Sequence, residues 1–261
     1  VTWLNVDHEG FVSPEEFEKA IRPDTIFASI MHANNEIGTI EPIAEIGEIC
    51  KKHKIPFHTD AAQTAGCLAL DVEKLNVDLM TLNGSKIYGP KGVGALYIKR
   101  GLEIKPIIFG GAHERGIRAG THNVAGIVGM AKALQLIQEN KEQENQRLEK
   151  LRNRLMEALL AKIKTAKLNG PRQNRLPNNL NISIPNIDSQ QLLLVLDDAG
   201  IYLSASSACS NGAVKPSETL KAIGLSEDQV SSALRISLGK KTTEEDILPF
   251  TIDIFCERPE E

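Results

Sequence analysis

Cysteine is scarce in this sequence, with four in 261 residues, at positions 50, 67, 209 and 256. No two of them form a Cys-x-x-Cys pair. His53 beside Cys50 has no second pair to complete a four-ligand set, so a zinc centre of the usual spacing is excluded and no metal is expected. A chain long enough to bury a core needs no disulfide staples, and so low a count points to a reducing compartment. A block of one charge sign is also missing. Lysine and arginine total 30 against 34 aspartates and glutamates, a formal charge of −4, which argues against nucleic acid as the main partner. No apolar run approaches the roughly 18 residues of a membrane span. Val1 to Gly10 show neither the charged n-region nor the apolar h-region of a signal peptide.

What is present is ordinary globular material, 41% hydrophobic. Thr25 to Met31 reads as a buried strand, and Ile43, Ile46 and Cys50 recur at helical spacing until His53-Lys54 closes a helix. Ile55 to Asp60 is a second strand, Asp71 to Leu75 a short helix, Val77 to Leu82 a third strand and Gly94 to Ile98 a fourth. That rhythm predicts parallel strands joined by right-handed crossovers. A largely helical stretch from Val124 to about Lys164, rich in Glu, Lys, Gln and Arg, reads as a solvent-facing connection. Beyond it come a strand at Asn179 to Ile184, a helix at Ser189 to Ala199 and an edge strand at Ile201 to Ser204. Ser226-Glu-Asp-Gln229 forms a capping box that opens a helix toward Ser231. The expected class is α/β: residues 1–138 form part of a large domain with a mainly parallel, incomplete sheet, and 139–261 form a smaller α+β domain.

Ligands of open α/β sheets bind beyond the carboxyl ends of parallel strands. Three such ends carry polar residues: His32-Ala-Asn-Asn-Glu36, Asp60-Ala-Ala-Gln63 and Asn83-Gly-Ser-Lys86. An Asp at one end and a Lys at the next suit pyridoxal phosphate, the Lys forming the Schiff base and the Asp keeping the pyridine nitrogen protonated. Spacing alone leaves two plainer readings open, a solvated Lys and an Asp that caps the next helix.

Two further residues stand out. Cys50 shares a helix face with Ile43 and Ile46 and reads as a small buried hydrophobe, as does Cys67 beside Leu68 and Leu70, while Cys256 near the acidic end has no pattern around it. Cys209 differs. It lies in Ser204-Ala-Ser-Ser-Ala-Cys-Ser-Asn-Gly212, whose small polar residues offer no apolar pocket and suit a reactive, exposed thiol. In Ser232 to Leu238, Leu234, Ile236 and Leu238 share one strand face, leaving Arg235 on the other between Ala233 and Ser237. That face reads as open, where an Arg fork could clamp a carboxylate or form a surface ion pair.

The wording of five ordered segments is more specific than their spacing. Met31-His-Ala-Asn-Asn-Glu-Ile-Gly38, His58-Thr-Asp-Ala-Ala-Gln63, Gly84-Ser-Lys-Ile-Tyr-Gly-Pro-Lys-Gly-Val-Gly94, Gly110 to Thr121 and Ser206-Ser-Ala-Cys-Ser210 resemble the cysteine desulfurases of the NifS/IscS type, class V, fold-type I pyridoxal phosphate enzymes. The resemblance runs over essentially the whole chain. It implies Lys86 as the Schiff-base lysine, Asp60 as partner of the pyridinium nitrogen, and Asn35 and Gln63 as partners of the phenolic oxygen and its surroundings. Asn83 and Ser85 would lie near the phosphate, at positions where the family commonly has Ser and His. Thr121 would reach the phosphate of a neighbouring subunit, which implies a homodimer. Arg235 would hold the substrate carboxylate with Asn35 nearby, and Cys209 would take the sulfur of L-cysteine as a persulfide, leaving L-alanine. Delivery to an iron-sulfur scaffold or a tRNA-thiolation protein follows, in the cytoplasm or an organelle matrix. The family begins with a stretch supplying a phosphate-binding turn and a His stacked on the ring, so the chain is expected to be a fragment. Two rivals stand beside this reading, a selenocysteine lyase and a catalytically incomplete binding partner.

Overall fold

A computed structural model describes residues 1–205 and 216–247 of the chain. In chain order the elements are α1 (Pro14–Ala20), β1 (Ala28–Met31), α2 (Ile43–His53), β2 (Phe57–Asp60), β3 (Leu79–Asn83), β4 (Gly94–Ile98), α3 (Val124–Glu139) and α4 (Lys141–Lys162). There follow β5 (Lys167–Leu168), β6 (Asn179–Ser183), α5 (Ser189–Asp198), β7 (Ser204–Ala205), α6 (Glu218–Ala222), α7 (Glu227–Ser231) and β8 (Ala233–Ser237). Two compact units result. One holds Ile21–His32 and Pro42–Lys141; the other holds Val1–Ala20, Ala33–Glu41 and Glu142–Glu261. A single cut between 138 and 139 does not describe this division, because two N-terminal segments belong with the C-terminal unit.

The first unit is built on a sheet of order β1-β2-β3-β4, parallel through β3. β4 pairs antiparallel with β3, since residues 84–93 are too few for a crossover back to the starting edge. α2 buries Ile43, Ile46, Gly47 and Cys50, the face its spacing predicts. Gly47 is needed there, because a Cβ would come within 2.3 Å of the Leu75 carbonyl oxygen. Asp71 to Leu75 is a run of turns and not the expected helix. Asp71 Oδ1 accepts the Glu73 and Lys74 amides, and Asn76 then takes a positive φ of 51° that stops helix growth before β3.

The second unit carries an antiparallel sheet of order β5-β6-β8-β7. Leu180 and Ile182 of β6, with Leu234 and Ile236 of β8, form its apolar face, packed with Leu148, Leu151, Leu155 and Leu159 of α4. Those leucines recur every three or four residues and are at most 7% exposed, so α4 is a core helix and not a solvent-facing connection. Most of its charged residues occupy the remaining faces, while the buried Arg152 shares the leucine side and donates to the Leu176 carbonyl. At the expected capping box, the Gln229 amide donates to Ser226 Oγ and the Ser226 amide to Gln229 Oε1.

Glu41 ties the N-terminal segment into this unit. Its Oε2 accepts the Val12 amide at 2.9 Å, and burial pushes its carboxyl up to about 7, with Asp7 adding to the rise. The folded protein therefore keeps a proton between about 4.5 and about 7 that the unfolded chain has released, and stability falls as pH rises through that window. Glu41→Gln keeps an acceptor for Val12 and removes the charge. The variant should melt higher than the parent above pH 7, by on the order of 3 kcal/mol at most, and the gap should close toward pH 4.5. Melting curves across that range check the sign; a gap that widens at low pH contradicts it.

Candidate functional site

In the first unit β1 and β2 end level, Met31 pairing with Asp60, and β3 runs two residues past Thr81, the partner of Asp60, to Asn83. The His32 amide extends the ladder to the Asp60 carbonyl at 2.8 Å. Asp60 is exposed at this end, its Oδ1 accepting the Ala62 amide at 2.9 Å, and the half-buried Gln63 follows in the same turn. One strand over, Asn83 caps a short 3-10 turn, Gly84–Ile87, by accepting from the Ser85 amide at 2.9 Å and from Ser85 Oγ at 2.8 Å. Lys86 projects from that turn into solvent between the buried Gly84 and Ile87. Gly84 cannot be replaced without movement, since a Cβ would lie 2.9 Å from Val93 Cγ1 and 3.0 Å from its carbonyl oxygen. Ile87 packs with Ala65 and Met130 of α3, so the lysine stands on a fixed base.

An amine, a carboxylate and an amide thus follow strands at the same end of one sheet. This donor set fits an aldehyde, a ring nitrogen and a phenolic oxygen, the groups that pyridoxal phosphate presents. Thr121 is exposed in the loop before Asn123, whose side chain caps α3. Two histidines support the row without charge. Burial lowers the pKa of His32 to about 4, and its Nδ1 lies 3.2 Å from Thr64 Oγ1. His58 shares a strand face with Asp60 and spans Ser29 Oγ at 2.8 Å and Thr81 Oγ1 at 2.9 Å. Burial lowers its pKa, while the charge of Asp60 works the other way.

In the second unit the structure brings Arg235 and Asn35 together. Arg235 Nη1 donates to the Asn35 carbonyl oxygen at 3.4 Å. The expected face of Arg235 is correct, but that face is not open: neighbouring Asn181 is fully buried, and its Nδ2 donates to the Glu36 carbonyl at 3.1 Å. The loop after residue 33 covers it. Sequence reasoning missed this polar layer, although the alternation in Asn179-Leu-Asn-Ile-Ser183 carries its signal. Cys209, like Cys256, lies outside the described residues. Cys50 is buried and Cys67 partly so, and burial pushes both thiols up to about 12, leaving them protonated at neutral pH.

The aminotransferase class-V profile matches residues 1–250. The chain is 53% identical over 249 residues to a cysteine desulfurase IscS of Clostridium botulinum, which takes in 95% of this chain and 63% of that relative. It is 52% identical over 247 residues to the cysteine desulfurase IscS of Methanosarcina thermophila, over 95% of this chain and 61% of the relative. Among solved structures, a NifS-like protein superposes with a TM-score of 0.89 at 40% identity, covering 97% of this chain and 67% of that one. SspA in complex with cysteine gives 0.75 at 35% identity, over 91% and 66%. The chain therefore spans somewhat less than two thirds of the curated relatives it matches.

Proposed function

The chain belongs to the class-V aminotransferase family, and we propose that the protein it comes from is a pyridoxal phosphate-dependent cysteine desulfurase that acts on L-cysteine as a homodimer. The observation that carries this reading is that Asp60 ends β2 and Lys86 follows the end of the neighbouring parallel strand β3, so that both stand at one edge of the sheet. Among the described residues no helix is long and apolar enough to cross a membrane; the low cysteine count supports a reducing compartment, the cytoplasm or an organelle matrix. Apart from Val1–Ala20 and Ala33–Glu41, residues 1–138 would be the C-terminal part of the large cofactor-binding domain, and 139–261 the small domain that carries Cys209.

In this reading Lys86 anchors the cofactor through its amine, and Asp60 faces the ring nitrogen. Asn35 and Gln63 bond the phenolic oxygen, and Asn83, Ser85 and a second copy's Thr121 serve the phosphate. When bound, the group supplies an electron sink for charge released at the substrate's α-carbon. Arg235 holds the substrate carboxylate by two parallel bonds. Lys86, once its amine is free, moves the proton off Cα and, after the sulfur has left, returns one there. The Cys209 thiolate attacks the substrate sulfur. A sulfur–sulfur bond forms, the Cβ–sulfur bond breaks, and its electron pair stays with Cβ, which takes a proton. L-cysteine leaves as L-alanine, and Cys209 carries a persulfide for an iron-sulfur scaffold or tRNA-thiolation acceptor.

Arg235→Lys tests the substrate end in the complete protein. The charge stays and the fork goes, so kcat/KM for L-cysteine should fall about tenfold or more, equivalent to about 1.4 kcal/mol or more. Steady-state alanine production measures it. Unchanged kinetics would return Arg235 to a structural role on the Asn35 carbonyl.

A further inference from the structure

Asn35 offers Arg235 a main-chain oxygen, so whatever fixes the backbone after Asn35 also sets the guanidinium that bonds it. The Asn35 carbonyl and the Glu36 amide belong to one planar peptide. That amide donates to Asn34 Oδ1 at 2.8 Å, and the Ile37 amide donates to the same oxygen at 3.0 Å. The next carbonyl, that of Glu36, accepts Asn179 Nδ2 and Asn181 Nδ2, each at 3.1 Å. Two successive peptides are thus held, by Asn34 within the loop and by β6 beneath it. Every residue of this arrangement belongs to the second unit.

Asn181 is the member of this set directly opposite Arg235 across β6 and β8, and opposed residues share a sheet face. It is fully buried, whereas Arg235 is half-buried. Burying an amide is costly unless its atoms are bonded, so a side chain of this kind specifies geometry more than it adds stability. Asn169, also buried, donates through Nδ2 to Asn181 Oδ1 and to Ser183 Oγ, each at 2.8 Å. That bond fixes which way the Asn181 amide faces and turns its Nδ2 to the Glu36 carbonyl. Arg235 carries five N–H donors, and its one long bond of 3.4 Å to the Asn35 carbonyl orients the plane while leaving a parallel pair for a carboxylate. We propose that Asn181 is a positioning residue for substrate recognition: it pins the Glu36 carbonyl, the pinned backbone holds the Asn35 carbonyl, and that oxygen sets the plane of the Arg235 fork. This role rests on the reading of Arg235 as the carboxylate clamp and adds a residue to it.

The test uses the complete holoenzyme and two probes, L-alanine and ethylamine, which share an amine while only the first carries a carboxylate. Titrating the cofactor absorbance with each gives two dissociation constants. In Asn181→Ala the constant for L-alanine should rise about fivefold and that for ethylamine should not move, as expected when one hydrogen bond that orients the fork is lost. The KM for L-cysteine should rise by about the same factor, with kcat held within about twofold. In an Arg235→Lys background the same change should add less than about twofold, because the fork it serves is already gone. A merely structural role would lower the melting temperature and move both constants together. Unaltered L-alanine binding in Asn181→Ala, equal losses for the two amines, or a further loss of about fivefold in the Arg235→Lys background overturns the proposal. If Asn181→Ala does not fold, Asn181→Ser, which keeps an oxygen for Asn169 and is too short to reach Glu36, decides on the same terms. Weaker L-alanine binding in Arg235→Lys alone overturns the role of Asn181 and leaves that of Arg235 standing. A parent that binds L-alanine no better than ethylamine, or an Arg235→Lys variant that binds it as well as the parent, removes the carboxylate role of Arg235 and this inference with it. A parent whose absorbance answers neither amine removes the cofactor reading itself.

Discussion

Lys86→Ala in the complete protein should abolish the covalent cofactor adduct that borohydride traps, and with it turnover, by about 10³-fold or more. The size of the effect follows from two roles on one amine, anchoring the cofactor and moving the α-proton. The position supports both, because the lysine is exposed while Gly84 and Ile87 on either side of its turn are buried and fixed. Lys91, exposed in the same Gly-Pro-Lys-Gly string, is the control. Lys91→Ala should leave the adduct in place, and peptide mapping reads which lysine carries it. An adduct that survives in Lys86→Ala, on Lys91 or elsewhere, contradicts the assignment.

Cys209→Ser should separate the two halves of the reaction. Lys86 and Asp60 are untouched, so cofactor loading and the absorbance response to L-cysteine should persist. Alanine production and acid-labile sulfur should both disappear, because a serine hydroxyl is scarcely ionised near neutral pH and cannot replace a thiolate. Cys50 and Cys67 are poor substitutes, since burial holds both thiols protonated up to about 12. Cys50→Ser and Cys67→Ser should leave sulfur transfer in place and cost about 1–3 kcal/mol of stability for a poorly partnered hydroxyl. Loss of transfer in either, with the fold intact by melting, would count against Cys209.

Much of this was legible from local pattern. The buried face of α2, the capping box at Ser226 and the alternation of Leu234 and Ile236 all follow from periods of 3.6 or 2 that neighbours within a few residues decide. That Asp60 and Lys86 follow neighbouring strands at one sheet edge comes from parallel pairing at the expected rhythm. The rest was set by distant partners. Asn181 and Glu36 are 145 residues apart, and nothing local says that the Asn34-Asn35-Glu36 loop covers the face of Arg235. The charge of α4 hid a leucine stripe because most of its surface residues are polar, and residues 1–20 joined the C-terminal unit through contacts such as Val12 to Glu41. The turn at Asp71 starts as a capped helix would, but Asn76 takes a positive φ of 51° and ends it before β3.

The central claim, that a cysteine desulfurase stores sulfur on Cys209, is met most directly by mass spectrometry of the complete holoenzyme after one turnover with L-cysteine. The account predicts one added sulfur atom on the peptide holding Cys209, with one alanine released for each sulfur gained. Added sulfur on the peptides of Cys50, Cys67 or Cys256 instead, or alanine with no sulfur on the protein, would contradict it.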